Sequence, residues 1–390
     1  MPAVRIGLEN LIDTPPSWIR GKRLGLLCHP ASVDSALRHA RARIQQALPG
    51  ALRSLFSPQH GFFGEKQDNM IESDHGVDPL LGLPVWSLYE KTRKPLPEML
   101  ASIDTLLVDL QDVGTRVYTF IYTLSYCMEA ARDCDKEVVV LDRPNPLGGS
   151  QVEGNLLDPA MASFVGRYPM PMRHGMTIGE LAGLFNLEFG IGCRLRVIPM
   201  TGWKRSMLFA DTGLPWVAPS PNLPSPTSAL VYPGQVLWEG TCVSEGRGTT
   251  QPFELFGAPF LDPERVRTRL MPPPRGVVLR TAAFQPTFHK FHGELCRGFQ
   301  LHVVDPSTYR PYATTLRLVQ AILREYPERW RWRPPPYEYE HHRLPFDLIT
   351  GNEGIRTALE DGIDVEEMDR SWQADLSAWR RSARRFHLYE

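Results

Sequence analysis

The chain has 390 residues, 42% of them hydrophobic, and a formal net charge of −1. That length exceeds what one core usually serves, so two domains are expected. The near-zero charge argues against a nucleic-acid or anionic-membrane partner, and no apolar run is long enough to span a bilayer.

Residues 1–20 carry Glu9 and Asp13 and no long apolar segment, so no signal peptide is read and the cytoplasm is the expected location. Short apolar runs then alternate with helical patterns. Residues 24–28 form the first run, ending at His29-Pro30, and a helical pattern covers 32–47. Residues 52–56 end at Ser57-Pro-Gln-His-Gly61, and 105–109 end at Gln111-Asp-Val-Gly-Thr-Arg116. A helix is predicted over 118–132, then a strand over 138–141 ending at Asp142-Arg-Pro-Asn-Pro146. Thr177 and Glu180 have capping-box spacing ahead of a helix to 189, and 195–200 is a fifth strand.

Strands alternating with helices imply an α/β fold, a Rossmann-like, doubly wound parallel sheet over residues 1–232. The polar clusters follow the strands directly and so collect at the carboxyl edge, where open α/β sheets bind ligands. Beyond 232 the pattern changes. Strands near 276–281 and 299–304 with helices near 263–270, 312–325, 344–350 and 366–382 predict a smaller C-terminal α+β domain, 233–390, over that edge. The 36 prolines fit shaped, rigid loops. The six cysteines form no CxxC, and several lie in apolar runs, which reads as buried thiols in a reducing compartment.

Several chemistries lose support. His29-Pro30 stands where a G-x-G-x-x-G would follow the first strand, and P-loop, H-E-x-x-H and G-x-S-x-G motifs are absent. His289, His292 and Glu294 lack a diagnostic metal spacing, so neither metal nor cofactor is expected. Carboxylate chemistry remains. Glu65, Asp112, Asp142, Glu245 and Glu254 are the candidate acids, with Arg116, Arg143 and Arg247 close by in sequence. His60, His174, Tyr118 and Asn145 complete a polar small-molecule site. The stretch from Glu239 to Glu254 reads as a loop whose glycines flank Arg247, suited to a polyhydroxyl or anionic ligand. A pair of carboxyl groups is the minimum for acid–base cleavage of a glycosidic bond, although these residues do not single that reaction out.

Six ordered motifs carry a resemblance. They are Phe56-Ser-Pro-Gln-His-Gly61, Val108-Asp-Leu-Gln-Asp-Val-Gly-Thr-Arg-Val-Tyr-Thr119, Leu141-Asp-Arg-Pro-Asn-Pro-Leu147, Arg173-His-Gly-Met-Thr-Ile-Gly-Glu-Leu181, Ser220-Pro-Asn-Leu-Pro224 and Ser244-Glu-Gly-Arg-Gly-Thr-Thr250. From about Gly21 to the C-terminus the chain resembles the exo-β-N-acetylmuramidase family. The resemblance implies a Rossmann-like catalytic domain closed by a smaller one. It also implies release of terminal N-acetylmuramic acid from peptidoglycan fragments without a cofactor. Its usual motif after the second strand is Pro-Glu-His-Gly, and this chain has Gln59 at the acid's position. A carboxamide cannot deliver a proton at neutral pH. Glu245 is then the expected acid and Glu65 its rival, with His60 beside Gln59. Asn222, Glu239 and the polar residues above are expected to bind substrate, and the arginines to meet the lactyl carboxylate. A sugar-binding protein without catalysis, or a hydrolase of a related anionic sugar, is the alternative.

Overall fold

A computed structural model describes residues 4–68, 70–89 and 92–390. The strands run β1 Leu24–Cys28, β2 Leu52–Ser57, β3 Gly76–Val77, β4 Pro84–Ser87, β5 Thr105–Asp109, β6 Glu137–Leu141, β7 Glu153–Leu156, β8 Pro171–Arg173 and β9 Arg194–Ile198. Beyond them come β10 Leu255–Ala258, β11 Val277–Phe284 and β12 Cys296–Val303. The large sheet has the order β3-β4-β2-β1-β5-β6-β9. Every pairing in it is parallel except β3 with β4. Counting the parallel strands alone gives 3-2-1-4-5-6, the doubly wound order whose direction reverses between β1 and β5.

The sequence explains why both faces of this sheet are covered. Along β5, Leu106 and Val108 face one apolar cluster and Leu107 the other; along β6, Val138 and Val140 oppose Val139 and Leu141. The first face is covered by helices Phe120–Asp133 and Ile178–Leu187, and the second by Gly7–Asp13 and Ala40–Ala47. Thr177 and Glu180 make the expected capping box. The helix predicted from 32 begins only at Ala40, because the Asp34 carboxylate accepts from Ala36 N and Arg38 N and folds that stretch into a turn. The short β4, starting at Pro84, and β3 lay outside the predicted strands.

The C-terminal part holds a three-stranded antiparallel sheet, β10-β12-β11, with helix Pro311–Glu325 beside it. The predicted helix over 366–382 is two helices, Val365–Ser371 and Gln373–Ala383, broken at Trp372, and Glu353–Asp361 is an additional one. Helix Pro226–Gln235 runs into the 3-10 turn Val236–Gly240 and joins the two parts. The tail returns to the large sheet, where the Tyr389 hydroxyl donates to Asp142 Oδ2 at 2.6 Å.

Candidate active site

The carboxyl edge of the large sheet meets the C-terminal part in one small pocket. From the loop after β2 come Gln59 and His60; from the segment after β5 come Tyr118 and Thr119. The joining helix and its 3-10 turn bring Tyr232 and Glu239, the 239–254 loop brings Arg247 and Phe253, and a turn near the C-terminus brings Tyr337 and Glu338. The cavity they leave is about 30 Å³. A pocket that takes a small organic ligand is about ten times larger, so the walls must part to admit a sugar ring.

Two carboxyl groups line this pocket in opposite settings. Glu239 accepts from Arg247 Nη2 and from the Tyr337 hydroxyl, both at 2.7 Å, so its charge is matched by a guanidinium. Glu338 is buried, and its Oε1 accepts from Gln59 Nε2 at 3.1 Å and its Oε2 from the Tyr89 hydroxyl at 2.6 Å. Among the described residues its nearest cation, Arg93, stands 4.0 Å away. Burial raises the Glu338 pKa above the usual glutamate value, against the lowering effect of Tyr89, Gln59 and Arg93. Gln59 is fixed at its other end, where Oε1 accepts from the Thr119 hydroxyl at 2.9 Å. The His60 ring holds the Lys66 carbonyl through Nδ1 at 2.8 Å, and burial pushes its pKa down to about 4, so the imidazole is neutral.

The backbone around the pocket is bent to make this arrangement. Gly246 and Gly248 have φ of +78° and +81°, as the glycines flanking Arg247 were expected to permit. His60, Phe253 and Glu338 also lie at positive φ, which is unfavourable for residues with a Cβ.

The expected acid, Glu245, does not fit the role. It is fully buried behind the pocket wall, with Lys290 Nζ at 2.9 Å, His289 Nδ1 at 3.2 Å and Arg247 Nε at 3.3 Å. Burial alone would raise its pKa, but these groups together hold it well below the usual carboxylate range. An acid needs the reverse. Its rival Glu65 is exposed and folds back on its own loop, where it accepts from Phe63 N at 3.1 Å, and a Cβ at Gly61 would collide with it.

Of the expected binding residues, Tyr118, Asn222, Glu239 and Arg247 line the pocket, as do Gln59 and His60. The others are placed elsewhere by structural bonds. Arg116 is fully buried and donates to the carbonyls of Asn155, Met170, Ile349 and Thr350. Arg143 is paired with Asp109 through two contacts of 2.6 and 2.9 Å. Asp142 accepts from Thr177, Gly179 and Tyr389; Asn145 bridges Leu147 N and the Met176 carbonyl. Asp112 and His174 lie 3.2 Å apart outside the pocket's lining, and Glu254 accepts from Ser225 at a helix start. The 142–147 loop, expected in the cleft, therefore contributes no residue to the pocket's lining. Among the described residues no group of three or more His, Cys, Asp or Glu is arranged to hold a metal. No helix among them is long and apolar enough to cross a membrane.

Glu338, Tyr337, Tyr89, Thr119 and Tyr232 were not among the expected residues. Nothing local separates Glu338 from Glu340 in Pro335-Pro-Tyr-Glu-Tyr-Glu340. The one usable signal is the run Pro334-Pro335-Pro336, which stiffens the approach to an acid set between two tyrosines.

A doubly wound α/β sheet whose carboxyl edge is closed by a second part over a two-carboxylate pocket is the architecture of a small-molecule site. Comparison with known proteins narrows this class. The chain belongs to the exo-beta-N-acetylmuramidase NamZ family: the family's N-terminal model matches residues 24–227 and its C-terminal model residues 230–389. It is 44% identical over 392 aligned positions to the peptidoglycan beta-N-acetylmuramidase NamZ of Bacillus subtilis (strain 168), covering 100% of this chain and 92% of that one. Two crystal structures of DUF1343 family proteins from Bacteroides fragilis NCTC 9343 share the fold. One has a TM-score of 0.88 at 34% identity over 100% of both chains, the other 0.79 at 27% over 99% of both.

Proposed function

We propose that this protein is an exo-acting glycoside hydrolase that releases terminal N-acetylmuramic acid from peptidoglycan fragments. The observation that carries the reading is the pocket with Glu239 and Glu338 in unlike settings, in a chain of the exo-β-N-acetylmuramidase family. Exo-action requires a pocket that, once its walls part, takes one terminal sugar and excludes the middle of a chain. Two carboxyl groups with unlike environments can divide the work of donating a proton and of stabilising positive charge at the anomeric carbon.

Of the three arginines once set against the lactyl carboxylate, Arg247 alone lines the pocket, so we assign it to hold Glu239 and to face the substrate's anionic side. Asn222 and Tyr118 are assigned to the sugar's polar groups. Hydrolysis of this kind needs only water and carboxyl groups, so no cofactor enters the scheme. We place the reaction in the cytoplasm, a reading supported by six cysteines that are all free.

The test is turnover. Purified protein is incubated with the 4-nitrophenyl β-glycosides of N-acetylmuramic acid and of N-acetylglucosamine. Nitrophenol release from the muraminide, with little from the glucosaminide, is the expected result. Calorimetric binding of N-acetylmuramic acid with no turnover of either glycoside would replace the hydrolase by a sugar-binding protein.

A further inference from the structure

The turn that delivers Glu338 is built at an energetic disadvantage. Tyr337 N donates to the Glu340 carbonyl and Glu340 N to the Tyr337 carbonyl, both at 2.9 Å, which closes a two-residue turn. Its central residues, Glu338 and Tyr339, have φ of +49° and +65°. Such turns favour Asn-Gly, because a Cβ in the left-handed region costs roughly 1–2 kcal/mol per residue. Here both central residues carry large side chains, and the first is a buried acid aimed into the pocket. Strain held at a ligand site by the surrounding fold is characteristic of functional placement.

The other carboxyl groups near the pocket are each paired with a cation or lie outside it. Glu239 is bound to Arg247, Glu245 is enclosed by Lys290, His289 and Arg247, and Glu65 is exposed on its own loop. Among the described residues the Glu338 carboxyl is hydrogen-bonded by two neutral donors, Gln59 and Tyr89, while Arg93 stands 4.0 Å from it and donates to its backbone carbonyl.

Building on the glycosidase reading above, we infer that Glu338 is the catalytic acid and base of this chain, with Gln59 and Tyr89 as its positioning residues. The Glu338 carboxyl gives its proton to the glycosidic oxygen as the bond from that oxygen to the anomeric carbon breaks. A water molecule then forms the new bond to that carbon and returns a proton to Glu338. The sum is one water consumed, one bond cleaved and the carboxyl restored. Burial, which favours the protonated acid, agrees with this assignment.

The experiment compares wild type with Glu338→Gln on two substrates, 4-nitrophenyl N-acetyl-β-muraminide and the disaccharide of N-acetylmuramic acid on N-acetylglucosamine. Nitrophenolate leaves without a proton and a sugar hydroxyl does not. The variant is expected to lose about 10²–10⁴-fold in kcat on the disaccharide and far less on the aryl glycoside. Its calorimetric affinity for N-acetylmuramic acid should stay within about threefold of wild type, since a carboxamide keeps the turn's shape. Tyr89→Phe supplies a second reading: it removes a hydrogen bond to the ionised form, so the alkaline limb of kcat/KM moves to higher pH. A Glu338→Gln protein within threefold of wild type on both substrates overturns the assignment alone, as does a Tyr89→Phe limb that does not move. A wild type inert on both substrates overturns the glycosidase reading and this inference with it.

Discussion

Gln59 Nε2 donates to Glu338 Oε1 across 3.1 Å, joining residues 279 positions apart. The bond ties the loop after β2 to the strained turn of the C-terminal part, and so couples the state of one wall of the pocket to the other. Opening the pocket for a sugar must break it or carry both partners together.

Glu245 is predicted to be structural. Replacing it by Gln leaves Lys290 and Arg247 buried with one anion fewer between them, and breaking a buried charge set in this way costs about 3–5 kcal/mol. The Glu245→Gln protein should show a clearly lowered midpoint in urea. Whatever folded protein remains should retain kcat. A variant as stable as wild type but without turnover would restore Glu245 to the chemistry.

Arg116 is predicted to hold the two parts of the molecule together. Its guanidinium reaches the carbonyls of Ile349 and Thr350 at 3.0 and 2.6 Å, together with two more from the N-terminal part. Arg116→Leu strands those buried acceptors, each worth about 1–3 kcal/mol, so the destabilisation should reach several kcal/mol. Denaturant unfolding measures it directly.

These two residues also show what the sequence could and could not reveal. Five of the large sheet's seven strands were legible as short runs rich in apolar residues, whereas the short edge strands β3 and β4 were not, and the edge that binds ligands followed from the topology. The site did not follow from neighbours in sequence. Asp112 stands beside Arg116 in the chain, yet the arginine is turned toward carbonyls more than two hundred positions away. Lys290 lies 45 positions from the Glu245 it neutralises. Glu338 is indistinguishable from Glu340 until the turn places one inside the pocket and the other outside. Local charge patterns report on loops; long-range packing decides which charges are free to react.

His60 is predicted to weaken the fold in acid. Folded, its pKa is lowered from 6.5 to about 4, chiefly by burial. Between those values the unfolded chain takes up a proton that the folded protein refuses. Stability is therefore highest above pH 6.5 and falls as the pH drops through that window, by about 1.4 kcal/mol per unit for this one group. His60→Asn should remove that share of the slope, measured as unfolding free energy against pH in both proteins.

Gln59→Glu is the most informative single change at the pocket. It sets a second carboxyl where the carboxamide now stands, 3.1 Å from Glu338. Two carboxylates at that distance cannot both ionise readily, so the pair keeps one proton to a higher pH than Glu338 does alone. The hydroxyls of Thr119 and Tyr89 remain to satisfy the outer oxygens. If Glu338 delivers the proton, the alkaline limb of kcat/KM moves up by about 1–2 pH units, because the pair stays protonated where wild type has lost its acid. Stability carries the matching sign. The folded pair holds a proton that an unfolded glutamate releases near pH ~4.3, so the variant loses stability relative to wild type as the pH rises from there through the raised pKa. The pH–rate profile and the unfolding free energy are then two independent measurements of one shared proton. A variant with a displaced stability curve and an unmoved rate profile would show that the shared proton sits in the pocket without entering the reaction.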